Sequence, residues 1–461
     1  MLQSVREVAA SASINPTTGA TTATWPFADA ARIEATLAAA ARAAQEWRRR
    51  PLTERAALLR NMAAELRRNS DQLAQMITLE MGKPLAEARG EVEKSAWNCE
   101  YVAEHGPAWL ADEEVATQAR RSYVSWLPLG PVLAILPWNF PVWQGFRCAT
   151  SALMAGNVFL LKHAPNVQGC AKLVTELFAN VGFPAGVFQN LHADIADIGR
   201  IIADPRIAAV TLTGSPAAGA KVAAQAGAAC KKSIMELGGA DPFIVLADAD
   251  LDAAVAAAVR ARFANCGQVC LAAKRFIIEA SVATKFTEAF AAAAAALRIG
   301  DPLQAATQLG PMARADLRDN LEAQVNASLA AGAKLVTGGK RPDGAGWFYS
   351  PTVLTSLTQQ MPVVAQETFG PVAAVLTARD VDEAVAMAND SPYGLSAMVW
   401  TDPERGRQLA RELEVGGVFV NSVTMSDPRL PVGGVKLSGY GRELGRLGLL
   451  DLCNAQTVWV S

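Results

Sequence analysis

The segment Asn265-Cys266-Gly267-Gln268-Val269-Cys270 places a thiol where it could attack an electrophilic carbon. Cysteine suits that task at neutral pH because even an ordinary thiol is partly thiolate. Two buried core cysteines are the competing reading, and the glycine and glutamine beside Cys270 argue against a plain apolar run. Cys266 offers a redox partner four residues earlier, although helical geometry there would hold the two sulfurs apart. An acyl group carried on a thiol needs activated water for its release. The chain has only three histidines, His105, His163 and His192, so that task falls to a carboxylate with a raised pKa. Glu236 ends the apolar run Ser233–Leu237 and precedes Gly238-Gly239; it reads either as that base or as a solvated strand-end carboxylate. In Pro137-Trp138-Asn139-Phe140-Pro141 two prolines fix an extended turn, from which Asn139 can offer an amide N–H to a developing oxyanion or cap a helix.

Other chemistries lack their residues. No H-E-x-x-H, paired C-x-x-C or EF-hand loop is present, so no metal site is expected. Gly214-Ser-Pro-Ala-Ala-Gly219 lacks the Lys-Ser/Thr pair of a P-loop, and the dinucleotide fingerprint G-x-G-x-x-G is missing. Thr213-Gly214-Ser215 nevertheless follows an apolar strand and opens a helix at Pro216, where backbone amides can hold a phosphate; an ordinary turn reads the same way.

These residues need a scaffold, and the composition supplies one. The chain has 461 residues, 51% of them hydrophobic and 19% charged, which is too apolar for disorder and long enough for a large core. With 42 Lys+Arg against 44 Asp+Glu the net charge is −2, so no basic face awaits nucleic acid. No apolar run reaches the roughly 20 residues of a membrane span, and the N-terminal stretch containing Glu7 and Asn15 lacks the pattern of an export signal. Seven thinly spread cysteines fit reduced thiols, so a cytoplasmic location is expected.

The spacing predicts helices over 28–47, 52–69 and 70–81, with Gly82 and Pro84 as stop signals. From Val132 short apolar runs alternate with helical stretches: strands at 132–136, 158–161, 187–191, 208–212 and 233–237. A second series begins at Pro242, with strands at 243–246, 276–279, 372–377, 397–400 and 418–421 and helices at 251–263, 282–297, 381–389 and 403–413. Such alternation means parallel sheets with covered faces, and the two α/β bodies meet near residues 237–242. A cleft at the strand ends between them is the natural place for a site.

Taken together, the residues resemble the aldehyde dehydrogenase superfamily. The motifs are PWNFP at Pro137–Pro141, Lys162, TGS at Thr213–Ser215, ELGG at Glu236–Gly239, NCGQVC at Asn265–Cys270, QETFGPV at Gln366–Val372 and GGVKLSGYGREL at Gly433–Leu444. Glu236 lies 34 residues before Cys270 and Glu367 lies 97 after it, as that family requires. The resemblance implies an α/β fold with a Rossmann-type cofactor domain (residues 1–107 and 128–238), an α/β catalytic domain (239–438) and a β oligomerisation arm (108–127 and 439–461). It implies that Cys270 forms a thiohemiacetal and then a thioester, that Asn139 and the Cys270 amide make the oxyanion hole, and that Glu236 activates the hydrolytic water. Glu367 would hold the nicotinamide ribose with Phe369 beside the ring, and the Leu237 carbonyl would take the carboxamide. Trp138, Lys162, Gly214 and Ser215 would lie on the adenosine and pyrophosphate side.

One departure concerns the cofactor. Where the family commonly ends its strand in K-P-S-E or K-P-A-E, this chain reads Lys162-His163-Ala164-Pro165. Loss of that carboxylate relieves repulsion of a 2′-phosphate, and Lys162 and His163 can attract one, so NADP is expected to be accepted and favoured over NAD. Among subfamilies, KHAPN with SDPRLPxGGxKxSGYGREL is most similar to the short succinate-semialdehyde dehydrogenases. That likeness implies substrate roles for Arg147, whose plain reading is an ion pair, and for Ser426 or Arg429, while Ala264 stands where the subfamily has another arginine. A homodimer or homotetramer follows from the arm, with a small-molecule aldehyde and no nucleic acid or membrane as partner. The rivals are a dehydrogenase of another semialdehyde or small aliphatic aldehyde, a CoA-acylating enzyme, and a cofactor-free cysteine acyl-hydrolase, which needs His163 or His192 near Cys270.

Overall fold

The computed structural model describes residues 9–461; Glu7 and the rest of the first eight residues lie outside that range. Two α/β bodies carry the site. The first sheet runs in the order Gly439–Tyr440, Lys232–Glu236, Ala209–Thr213, Pro131–Leu136, Val158–His163, Phe188–Asn190, parallel throughout except for its first strand. The second runs Lys334–Thr337, Thr352–Thr355, Val372–Ala378, Ala273–Glu279, Asp241–Val245, Ser396–Trp400, Gly417–Val420, again with only the first strand antiparallel. Strands covered on both faces read as unbroken apolar runs, and all six residues of Val158–His163 are buried. Each body has its own hydrophobic core, one around Leu133, Phe159 and Met154, the other around Phe243, Phe276 and Phe290.

Local chemistry sets the helix ends. Asp29, Asp194, Ser215, Asp250 and Asp380 cap helices by accepting from backbone amides in the first turn. Gly82, Gly156 and Gly182 close helices in the left-handed conformation. The expected N-terminal helices are found at Ala30–Trp47, Leu52–Arg68 and Ser70–Met81, preceded by a hairpin, Ala10–Ile14 with Thr21–Pro26, that the sequence did not announce. The third sheet pairs Cys453–Val460 with Arg121–Pro128 and Glu113–Glu114, which are the strands expected of the arm. Residues 439–452 depart from the expected arm. Gly439–Tyr440 bonds to the first sheet, and the helix Gly445–Leu450 sinks Leu449 and Leu450 into the first core, because a stretch with two such leucines gains more there than on an exposed arm.

The helix Ser70–Met81 stops ahead of Gly82 and Pro84 as expected, but Pro84 has a second role. It begins a 25-residue helix, Leu85–Trp109, since a proline at a helix start loses no hydrogen bond. Periodicity hid this helix because its inward face is partly polar: Glu91, Ser95 and Asn98 are all buried. Glu91 forms a fully buried ion pair with Lys83 and accepts from the amides of Val142 (2.8 Å) and Trp143 (2.9 Å) at the start of the helix Trp143–Ala155. Lys83 also sits 3.6 Å over the Phe140 ring. Glu91→Ala leaves a buried ammonium and two amides unmatched, so a loss of about 3–5 kcal/mol is expected in urea unfolding. A loss under about 1 kcal/mol would show that the pair holds nothing in place.

Candidate active site

The segment around Cys270 is not helical. Asn265 (φ 52°), Cys266 (φ 55°) and Gly267 (φ 71°) are three successive left-handed residues, a conformation that costs side-chain-bearing residues about 1 kcal/mol or more each. Gly267 is obligatory, because a Cβ there would collide with the Gly370 carbonyl. Side chains hold the loop from several directions. Glu87 accepts from the Asn265 amide (2.7 Å), and fully buried Arg262 donates to the carbonyls of Gly267 (2.6 Å), Gly370 (2.8 Å) and Ala273 (2.9 Å). Gln268 Oε1 accepts from the Ala313 amide (2.9 Å), and Lys274 donates to the Cys270 carbonyl (2.6 Å). The geometry corrects the helical expectation for the cysteines: Cys266 belongs to the second core, whereas Cys270 lines a cavity. Burial pushes the Cys270 thiol up to about 11, against the pull of Arg147 and Lys274.

The turn after Pro131–Leu136 brings Asn139 to this loop. Its Nδ2 donates to the Gln268 carbonyl (3.0 Å), and Asn265 Nδ2 donates to the Asn139 carbonyl (2.9 Å), so turn and loop are sewn together two residues from Cys270. One amide hydrogen of Asn139 remains for an oxyanion. His163 lies beneath the same turn. Its Nε2 bonds the Pro141 carbonyl (2.7 Å) and its Nδ1 accepts from the Ala164 amide (2.9 Å), while complete burial lowers its pKa to about 4. The ring is therefore neutral and turned inward, which corrects the expectation that it attracts a 2′-phosphate.

Glu236 ends its strand in a buried pocket of charge. Burial raises its pKa to about 8; Arg147 and Arg442 oppose the rise and Glu443 adds to it. Its Oε1 has no hydrogen-bond partner, and a Cβ at Gly433 would stand 2.8 Å from that oxygen. Arg147, on the helix Trp143–Ala155, is 2% exposed, pairs with Glu443 and donates to Thr213 Oγ1 (3.0 Å). Burial alone would lower the Arg147 pKa, but Glu443 and Glu236 keep the guanidinium charged. Glu443 also takes hydrogen bonds from Cys148 (2.8 Å) and Thr211 (3.1 Å). Arg147 thus spends much of its charge inside the protein.

A second cluster joins the two bodies. Glu367 accepts from the Gly239 amide (3.2 Å) and lies 3.5 Å from Lys274. Gly238 leaves room for the Glu367 carboxylate, which a Cβ there would force aside. Phe369 meets Trp138 edge to face at 5.7 Å, which puts Trp138 with the Glu367 segment as well as on the Asn139 turn. Leu237 donates from its amide to Ser438 (3.0 Å) and packs its side chain under Gly219. Gly214 donates to the Glu236 carbonyl (3.0 Å), and Ser215 caps the helix Pro216–Ala228. Lys162, Ala164 and Pro165 end the neighbouring strand; Lys162 is 6% exposed and its pKa is lowered by burial, with Asp194 opposing.

Cys270 opens on a cavity of about 750 Å³ whose walls include Phe140, Trp143, Arg147, Leu271, Lys94 and Ser426. Ala264 also lines it and brings no charge. Arg429 instead pairs with Asp427 and covers Trp97, so it does not serve the cavity. Sequence reasoning missed Glu87, Lys94, Arg262 and Lys274. Glu87 and Lys94 sit on the overlooked helix, and Arg262 and Lys274 are buried cations that flank NCGQVC, a signal that was available.

The model of the aldehyde dehydrogenase family matches residues 5–458. The chain belongs to the aldehyde dehydrogenase family. It is 53% identical over 448 residues to the succinate semialdehyde dehydrogenase Sad of Escherichia coli (strain K12), named as an NAD(P)+ enzyme, with 97% of each chain covered. It is 48% identical to a probable NADP+ succinate-semialdehyde dehydrogenase of Synechocystis sp. (strain ATCC 27184 / PCC 6803 / Kazusa), covering 98% of this chain and 99% of the relative. The crystal structure of succinic semialdehyde dehydrogenase from Streptococcus pyogenes, in complex with NADP+ as the cofactor, superposes with a TM-score of 0.96 at 35% identity, covering 98% of this chain and 99% of that one.

In this aldehyde dehydrogenase neither histidine proposed for a cofactor-free hydrolase lines the cavity: His163 is buried under the Asn139 turn, and His192 bonds Ser11 and stacks on Phe27. Among the described residues no helix is long and apolar enough to cross a membrane, and no group of three or more His, Cys, Asp or Glu could hold a metal ion. Cys270 is half-buried and Cys230 exposed, while the other five cysteines are buried. Brief alkylation of the folded protein with iodoacetamide, read by peptide mass spectrometry, is expected to label Cys230 and Cys270 and to spare the rest. Labelling of Cys266 before Cys270 would contradict the placement of the two thiols.

Proposed function

We propose that the protein oxidises succinate semialdehyde to succinate with NADP or NAD, with Cys270 as nucleophile. The observation that carries this reading is Cys270 bound to the Asn139 turn at a cavity lined by cationic side chains, with Arg147 of that cavity acting on both Cys270 and the buried Glu236. The likeness to the Escherichia coli and Synechocystis enzymes supports the substrate and the cofactor pair.

The chain's own groups suit the cofactor. Glu367, held by the Gly239 amide and Lys274 beneath a glycine strand end, presents a carboxylate to ribose hydroxyls, with Phe369 and Trp138 beside it. Gly214 and Ser215 at a helix start would face the pyrophosphate, and Lys162 with Pro165 would take the adenosine end without a carboxylate to repel a 2′-phosphate. When bound, the nicotinamide supplies the hydride acceptor.

Cys270 attacks the aldehyde carbon once its proton has left. Arg147 and Lys274 favour the thiolate, and burial opposes it. Asn139 Nδ2 and the Cys270 amide would hold the oxyanion of the thiohemiacetal. After oxidation the thioester carbon is attacked by water, whose proton Glu236 accepts on its unpartnered Oε1. Burial keeps Glu236 protonated until the pH approaches about 8, so it becomes a competent base as the pH rises through that value. CoA acylation is the weaker alternative, because thiol exchange needs no such base. For the assembly we propose a homodimer or homotetramer, since Cys453–Val460 is an eight-residue edge strand whose outer side can add to a neighbouring sheet.

Cys270→Ala is expected to abolish oxidation by at least about a thousandfold while cofactor still binds in a fluorescence titration. Turnover near that of the wild type would remove Cys270 from the mechanism. Glu236→Gln is expected to keep the initial burst of reduced cofactor in stopped flow while steady turnover drops about 10²–10⁴-fold and loses its rise near pH 8. Loss of the burst as well would place Glu236 before the oxidation step.

A further inference from the structure

The cavity wall carries three cations, and their surroundings differ. Arg147 is matched by Glu443 and Thr213. Arg260 is exposed on the helix Leu251–Phe263, where water and salt screen its field. Lys94 is half-buried on the helix Leu85–Trp109, and among the described residues no carboxylate lies within ion-pair distance of it. Its ammonium sits 4.5 Å over the Trp143 ring and donates to Ser426 Oγ at 2.7 Å. Both Lys94 and Ser426 line the cavity that holds Cys270.

A cation drawn partly out of water and left without a counter-charge is costly unless something supplies one. The hydrogen-bond directions say what fits. Ser426 accepts from Lys94, so its own hydroxyl hydrogen is free to donate, and two ammonium hydrogens of Lys94 remain free as well. These converging free donors, beside an ammonium, match a carboxylate. Glu91 on its own helix, Asp427 beside Ser426, Arg147 on the facing helix and Cys270 are the charged or titratable groups around the ammonium. Glu91 is already committed to Lys83, and Asp427 to Arg429.

We infer that Lys94, with Ser426, is the specificity-determining anchor that receives the far carboxylate of the semialdehyde, while Cys270 takes its aldehyde end. The inference rests on the proposed function and adds to it a residue, Lys94, whose charge, unlike that of Arg147, is not matched by a carboxylate inside the protein. Burial, with Arg147 adding to it, lowers the Lys94 pKa to about 8, so the anchor loses its charge as the pH rises through that value. Arginine at this position would remain charged.

The test is the ratio of kcat/KM for succinate semialdehyde to that for butanal, which has the same four carbons and no carboxylate. In the wild type the ratio is expected to exceed one and to fall as the pH passes about 8. Lys94→Met keeps an unbranched stem against Trp143 and should lower the ratio about tenfold or more, chiefly through the KM for the semialdehyde. Lys94→Arg should keep a ratio above that of Lys94→Met and hold it to higher pH. A wild-type ratio near one overturns the proposed substrate and this inference with it. A wild-type preference that survives in Lys94→Met overturns the inference alone, as does an equal loss of both substrates, the mark of a structural lysine.

Discussion

The structure depends most on the left-handed turn Asn265–Gly267, because it decides where the Cys270 thiol can be. Three consecutive residues with positive φ do not persist on local preference. The turn is held by groups from separate parts of the chain: Glu87 from an early helix, Asn139 from the first sheet, Arg262 from the helix just before, and Lys274 from the strand just after. Each satisfies a backbone group that the turn leaves without a partner, so the bonds offset its strain. The result is a cavity-lining thiol on a loop that both bodies must be folded to hold.

The same economy governs charge. Arg147, Glu443 and Glu236 share a pocket almost closed to water, where a missing partner would be expensive. Glu443 takes the ion pair with Arg147, and Glu236 is left buried without a hydrogen bond on Oε1; burial, which Arg147 and Arg442 only partly oppose, raises its pKa to about 8. A carboxylate whose basicity is raised by burial is the stronger proton acceptor once it is ionised. The Cys270 thiol, also pushed up by burial, has Arg147 and Lys274 to pull it down, so the two groups share one cation, Arg147, and each has one of its own, Lys274 for Cys270 and Arg442 for Glu236.

Much of this was legible in the sequence because some of it is written in local patterns. The strand runs from Val132 to Leu237 and the helices 251–263 and 381–389 follow apolar periodicity and aspartate caps, and they lie where those signals put them. Cys270, Asn139, Glu236 and Glu367 stand beside glycines and prolines that have visible reasons, such as the clearance Gly238 gives Glu367. The helix Leu85–Trp109 was hidden because Pro84 marks its beginning and its buried face carries Glu91 and Asn98 in place of leucines. His163 misled for a related reason: sequence shows that a histidine follows Lys162 but not that its ring turns inward to the Pro141 carbonyl.

That hidden helix ties the two ends of the cavity together. Glu87, Glu91 and Lys94 recur at spacings of four and three, so they share one helix face. The first holds the cysteine turn, the second holds the amides that follow the Asn139 turn, and the third faces the cavity beside Ser426. A rigid helix fixes the separation of these three points, and with it the distance between the reacting carbon and whatever Lys94 receives. On the reading proposed above, Lys94 would thereby set how long an aldehyde can reach from the anchor to Cys270.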